Sequence, residues 1–423
     1  MFKKMSLKLY RKACRFENIY GSKMADKMIF GRMWYKAVSL PLIKLILKTH
    51  RNSGKKNILF DTSPDFDGNG KALFDYMKEQ RIIGRYRVIW LVDNPREYKM
   101  YKTRYVKFVK RCSDYTGFHK VKCYRAILKS RYVFFSHKLS WIETKSKGQI
   151  YVGLGDGGRL LKKWQEDGRT NLDLLIVPDS LFEKSQQEFY SCSPKKILTI
   201  GNAACRLMFT RRSQAVNFFT HLIGENTGLK KIIWIPQYRE PLLFMKYKTG
   251  AASMTGIPMI HFFTDMSLLN TLCVKNRIHL AIYCNPDSEV FCKEAGNFSH
   301  ISYIWSQELK EAEVGIYELL PQFDAMLGDY SGITLDFLLL DKPLGYILQD
   351  YEEIQQAGGL IVKEAAEYMP GEKIYSMDDL AMFLRHISQG EDAYRQQRRE
   401  VCGKIHPNVK DYCKCILEQC NIC

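Results

Sequence analysis

Residues 325–346, AMLGDYSGITLDFLLLDKPLGY, carry the reading that decides the fold. The apolar run at Met326 and Leu327 has the pattern of a buried strand. Gly328-Asp329-Tyr330-Ser331-Gly332 then breaks it with small and hydroxylated residues that permit a tight turn. Ile333, Phe337 and Leu340 recur at helical spacing, and Pro343 stops that helix before a second apolar run over 344–348. A Ser-Gly pair where a strand feeds a helix N-terminus can cradle an anion, because N–H groups and the positive dipole end face one point. The same residues also fit an ordinary strand-to-helix turn with Ser331 as N-cap.

The same rhythm continues on both sides of this stretch. Upstream, 231–236, 278–283, 301–305 and 323–327 read as strands; downstream, 360–361 is expected to complete their sheet. Residues 380–385, 393–400 and 410–420 read as helices. Further upstream, 57–61, 86–92, 105–109, 131–136, 149–154, 172–177 and 197–201 form a second series of short apolar strands, with helices over 74–79 and 124–129. Strands alternating with helices indicate parallel sheets covered on both faces. The rhythm breaks near 211–230, so the expected division is a leader over 1–56, a first Rossmann-like domain over 57–215 and a second over 216–423. Two doubly wound α/β halves of similar length suggest the architecture of a nucleotide-sugar transferase, with the site in the cleft between them.

Charge is concentrated at the start. Residues 1–56 hold fifteen Lys and Arg against Glu17 and Asp26, which accounts for +13 of the net +19. Phe2, Tyr10, Phe16, Phe30, Trp34 and Tyr35 interleave with these cations, and 38–48 follows as a short amphipathic segment. Basic, aromatic-rich helices of this kind lie in the interface of an anionic bilayer. A solvated helical arm is the alternative; no nucleic-acid-binding motif accompanies the charge, and nucleic acid is not an expected partner. Lys and Arg interrupt every apolar run near the start, so neither a signal peptide nor a membrane-crossing helix is expected.

The thirteen cysteines have no framework spacing, which points to free thiols in a reducing cytoplasm. Cys413, Cys415, Cys420 and Cys423 match no standard metal knuckle and read as free thiols on a frayed terminal helix. No metal and no cofactor are expected. Gly68-Asn69-Gly70 is too short for a dinucleotide fingerprint.

Several segments together resemble the CDP-glycerol glycerophosphotransferases, the family of teichoic acid polymerases and primases. In the opening stretch Asp329, Tyr330, Ser331, Asp336 and Pro343 match the family's strand-(S/T)DYSS-helix pattern, with Gly332 at its second serine. KIIWIPQYRE, 231–240, is similar to a strand ending in a Pro-Thr-Trp-Arg-Asp type loop, matched at Pro236 and Arg239. Residues 178–201 are similar to the family's strand, helix and "TGYPRND" segment as far as Gly201, and Tyr368-Met369-Pro370-Gly371 to a late "LPG". The resemblance spans roughly 56–384 with the motif order intact.

The resemblance implies a GT-B-like fold and a peripheral enzyme on the cytoplasmic face of the membrane. It would transfer glycerol or ribitol phosphate from a CDP-activated donor to a lipid-linked or polymer acceptor of the cell envelope, releasing CMP. Two departures fall on the implied chemistry. Asp156 stands where the family has the histidine of "WHGTPLK", while Gly157 and Lys162 match; Asn285 replaces the histidine of a strand-end "HP". A carboxylate accepts a hydroxyl proton where its pKa is raised, but the Gly-rich run around Asp156 also fits a turn with a helix cap. Asn285 can donate to a phosphate oxygen yet brings no positive charge and no proton. The resemblance assigns Asp156 as candidate base and Ser331, Gly332, Tyr330, Asn285, Arg239 and Lys162 as candidate donor-phosphate contacts. Glu352 and Glu353, after the next strand, are candidates for the ribose hydroxyls. A nucleotide-sugar glycosyltransferase and a catalytically weak binding member of the family remain as alternatives.

Overall fold

The computed structural model describes residues 38, 40–49, 56–111, 120–136, 145–155, 171–224, 228–237, 257–284, 292–293, 296–356, 359–361, 364–408 and 411–422. Among the described residues, helix α1 (Leu40–Thr49) precedes the first sheet and leaves Leu42, Leu45 and Ile46 exposed. Among the described residues no helix is long and apolar enough to cross a membrane.

The first sheet has seven strands: β1 (Asn57–Asp61), β2 (Arg87–Val92), β3 (Val106–Lys110), β4 (Tyr132–Phe135), β5 (Ile150–Gly153), β6 (Leu174–Val177) and β7 (Ile197–Thr199). They pair in parallel in the order β3-β2-β1-β4-β5-β6-β7. Its helices are α2 (Gly68–Glu79), α3 (Lys120–Lys129) and α4 (Glu183–Tyr190). The inner strands are covered on both faces, which is why β4 and β6 read as unbroken apolar runs. Phe60 stacks on Trp90 and Phe134 at 4.6 and 5.2 Å on the α2 side. Leu59, Val133 and Phe135 form the opposite core with Ile127 and Tyr190.

After α5 (Ser213–Ile223) the second sheet runs β8 (Lys230–Trp234), β9 (Ile278–Cys284), β10 (Ile301–Trp305), β11 (Ala325–Gly328), β12 (Leu344–Ile347) and β13 (Glu372–Ile374). Its order is β10-β9-β8-β11-β12-β13, again all parallel. Helices α6 (Phe263–Lys275), α7 (Ser306–Glu311), α8 (Ile316–Leu319), α9 (Gly332–Phe337), α10 (Tyr351–Gln356) and α11 (Met377–Gln389) surround it, and α12 (Arg395–Ile405) and α13 (Tyr412–Gln419) close the chain. The opening stretch folds as read: β11, turn, α9, β12. The expected strand at 360–361 is reduced to a single bridging residue, Leu360, and β13 completes the sheet through Tyr346 opposite Lys373.

Two features near the division depart from the reading. The boundary at 215–216 falls inside α5, whose buried face, Ala215, Phe219 and Ile223, joins the second sheet's core. The last helix, grouped by sequence with the second half, returns to the first: Cys413, Ile416, Leu417 and Cys420 pack with Leu73 and Met77 of α2. It is therefore docked and not frayed. Gly201 marks the passage. Its φ of +112° suits glycine, and a Cβ there would stand 2.4 Å from the Tyr412 ring. Behind the opening stretch, fully buried Arg398 of α12 bonds Asp392 at 2.6 Å and Asp341 at 3.2 Å, fastening α12 to the end of the segment that follows α9.

One core group makes stability pH-dependent. His279 on β9 is buried with its Nε2 2.8 Å from Ser302 Oγ, and Ser302 donates to Leu222 O at 3.1 Å. Burial, aided by nearby His300 and Lys231, pushes its pKa from 6.5 down to about 4. Above pH 6.5 the ring is neutral both folded and unfolded, so nothing is lost. Below that, only the unfolded chain takes the proton, and stability falls until the folded ring titrates near pH 4. The loss at pH 5 should be about 2 kcal/mol. His279→Gln should flatten it, read as urea midpoints at pH 7.5 and 5; identical pH slopes in both proteins would contradict the assignment.

Candidate functional site

In open parallel sheets ligands bind beyond the carboxyl ends of the strands, where the strand order reverses. The reversal lies between β1 and β4 in the first sheet and between β8 and β11 in the second. The opening turn follows β11 at that second point.

Its geometry is set by buried Asp329. One carboxylate oxygen accepts Gln237 N at 2.8 Å, from the loop after β8, and the other accepts Ser331 N at 3.2 Å. Asp329 thus joins the two loops that flank the switch point. Gly328 is required by crowding, because a Cβ there would lie 2.3 Å from Thr334 Cγ2. Ser331 occupies the N-cap position of α9 in extended backbone, yet its hydroxyl makes no cap bond. Its carbonyl instead accepts Thr334 Oγ1 at 2.6 Å and Thr334 N at 3.1 Å. The expected backbone cradle is therefore narrower than read: the Ser331 N–H is turned inward to Asp329, and it is the half-buried hydroxyl that is left to a ligand.

Tyr330 is a core residue. Its hydroxyl donates to buried Asp350 at 2.9 Å, so its side chain serves the core and not an anion. The same bond ties the turn to the end of β12, after which Glu352 and Glu353 stand exposed in the first turn of α10. Both glutamates are thus on the same edge of the sheet as Ser331. Asp336 faces the other way. Fully buried on α9, it accepts Asn202 Nδ2 at 2.8 Å and Tyr317 OH at 2.7 Å. Asn202 follows β7, so this carboxylate joins the two halves directly. Asp156, Lys162, Arg239 and Asn285 lie outside the described residues.

The first half contributes groups that the sequence reading passed over. Asp67 caps α2 through Gly68 N at 2.7 Å, directly after β1 at the first switch point. Burial pushes its carboxyl pKa up, against the Gly68 bond and the charges of Lys71 and of Lys310 on α7. Across the cleft, burial and the Asp67 charge push Tyr283, on β9, up to about 12. Asn69, in the Gly-Asn-Gly run, donates to Leu154 O at 2.9 Å and accepts Ala204 N at 3.0 Å. It fixes the backbone at the end of β5, two residues before Asp156. The signal was the DGNG turn itself, which a search for a phosphate loop discards.

Burial pushes Cys413 and Cys420 up to about 12, keeping both protonated in an apolar core, and Cys423 is outside the described residues. Among the described residues no cluster of His, Cys, Asp or Glu is placed to ligate a metal.

Known proteins resemble this chain over most of its length. Wall teichoic acid polymerase TagF superposes with a TM-score of 0.66 at 16% identity, covering 100% of this chain and 99% of that one. A TagF variant soaked with CDPG gives 0.67, also at 16% identity, over 98% of each chain. A putative UDP-N-acetylglucosamine 2-epimerase from Listeria monocytogenes gives 0.50 at 12% identity, over 87% of this chain and 96% of that one. These likenesses establish the two-domain, GT-B-like α/β fold. No curated protein sequence matches. The family model for CDP-glycerol:poly(glycerophosphate) glycerophosphotransferase, however, matches residues 43–408, which include both switch points, the Asp329 turn and the Asp336 tie. The chain belongs to that glycerophosphotransferase family.

Proposed function

We propose that this transferase moves glycerol or ribitol phosphate from a CDP-activated donor to a teichoic-acid-type acceptor at the cytoplasmic membrane surface, releasing CMP. The observation that carries the reading is the turn after β11, joined through Asp329 to the loop after β8 within a chain the family model spans. In this reading 216–423 is the donor side and 57–215 the acceptor side. The Ser331 hydroxyl, Gly332 and the Tyr330 backbone face the donor phosphates. Arg239, Lys162 and Asn285 complete the phosphate contacts, Arg239 and Lys162 with positive charge. Glu352 and Glu353 take the ribose hydroxyls, and Asp156 accepts the proton of the attacking hydroxyl. The basic leader over 1–56 docks on anionic lipid, consistent with the exposed Leu42, Leu45 and Ile46 of α1.

The purified chain should release CMP from CDP-glycerol or CDP-ribitol when given a lipid-linked acceptor. No release with either donor, where a TagF control turns over, would overturn the transfer reading. Ser331→Ala should weaken donor binding about tenfold, the effect of one lost hydrogen bond to a charged group. An unchanged donor Kd would remove Ser331 from the site. Asp156 and Asn285 in place of the family's histidines favour a second reading, a binding member with little turnover; its mark is donor binding without CMP release.

A further inference from the structure

At the outer edge of the first sheet is a cavity of about 520 Å³ that the donor site does not use. It opens at the carboxyl ends of β2 and β3, between Asp93–Arg96 and the edge strand, with Lys122 of α3 across from them. Phe108 and Val109, whose side chains pack on opposite faces of the sheet, line it on the strand side, while Arg96, Lys110 and Lys122 supply three positive charges. None of the three has a carboxylate partner among the described residues. The one acid in the wall is already engaged: Asp93 accepts Arg111 Nη1 at 2.9 Å. Arg111 also bonds Asp61 at 2.7 Å and Thr62 O at 2.8 Å, which fixes the rim to the end of β1. The turn is held as well, with Arg96 N on Asn94 Oδ1 at 3.3 Å and Asn94 Nδ2 on Glu97 Oε1 at 2.7 Å. The surrounding chain is basic throughout, with seven Lys and Arg and one acid over 96–111.

Charge on an edge strand commonly serves only to deter sheet-to-sheet pairing. That role asks for scattered cations. It does not require three of them around one cavity, nor a rim pinned to the first switch point. β3 lies two strands from β1, about 10 Å, along the same edge of the sheet at which the attacking hydroxyl would arrive.

Resting on the proposed transfer reading, we infer that this cavity is a subsite for a phosphodiester of the acceptor chain. It would hold a phosphate upstream of the reacting end, among the three cations. Such a subsite favours acceptors that already carry several repeats, because a one-phosphate acceptor cannot occupy both places.

The full chain should bind a labelled glycerol-phosphate oligomer of several units more tightly than glycerol 3-phosphate or inorganic phosphate, with affinity falling as salt rises. Combining Arg96→Gln, Lys110→Gln and Lys122→Gln should weaken oligomer binding at least tenfold while CDP-glycerol binding and Tm stay unchanged. Lys110→Arg, which keeps the charge, should bind as the parent does. Oligomer binding that survives the triple substitution would overturn the proposal. So would equal binding of inorganic phosphate and oligomer, or a triple variant that loses only phosphatidylglycerol vesicles. Because the titration needs no turnover, a chain that binds oligomer through these residues but releases no CMP would refute the transfer reading and leave the subsite standing.

Discussion

Asp329→Ala is expected to abolish measurable donor binding and lower the unfolding free energy by about 3 kcal/mol. The carboxylate is fully buried and receives Gln237 N and Ser331 N, from opposite sides of the second switch point. Each bond to a charged acceptor is worth about 1.5–3 kcal/mol, and the two N–H groups lose it together. The functional loss should exceed the stability loss, because release of Gln237 also frees the loop that carries Arg239. Asp329→Asn keeps the shape and one acceptor oxygen, so it should retain part of both. Isothermal titration with CDP-glycerol and urea unfolding separate the two effects. A destabilised Asp329→Ala protein that binds donor with parental affinity would reduce Asp329 to a purely structural role.

Asp336→Ala should have the largest effect on the coupling of the two halves. Its removal takes the charged acceptor from the Asn202 amide and the Tyr317 hydroxyl, which keep each other at 3.3 Å, at a cost of about 3 kcal/mol. Combination with Asn202→Ala should cost less than the sum of the single changes, with a coupling of about 1–3 kcal/mol. The two cores carry separate reporters, Trp90 in the first and Trp234 in the second. In the parent their urea transitions should coincide, and in Asp336→Ala they should separate. Additive single changes and coincident transitions would show that the tie carries no coupling.

The central strands were legible because they are buried on both faces, so runs such as 132–135 and 232–235 are apolar without interruption. The opening stretch was legible because its turn residues and Pro343 mark both helix ends. Function was legible only through the ordered motifs, since no residue pair in the chain has catalytic spacing of its own. What stayed hidden is long-range. Asp329 and Asp336 lie seven positions apart in one motif; one holds the turn and the other the interdomain contact, and nothing local distinguishes them. The Ser331 N–H turned inward could not be foreseen, because the preference for Ser at a helix start does not say which acceptor its amide meets. Residues 412–419 read as any amphipathic helix, and their partner surface on α2 is more than 300 positions away, as Cys413 Sγ near Ala72 O illustrates. The expected strand at 360–361 shrank to one bridging residue for a local reason: two apolar residues are too few to make a ladder.

The return of α13 to the first sheet means that the backbone passes between the halves twice, once near 210–213 and again between α12 and α13. A body held to another by one covalent thread can swing, twist and slide. With two threads, the second pinned where Tyr412 covers Gly201, sliding and twisting are suppressed and one rocking coordinate survives. Any opening or closing of the cleft is thereby steered along a single arc, and clipping the last dozen residues would restore the lost degrees of freedom without touching a residue of the donor site.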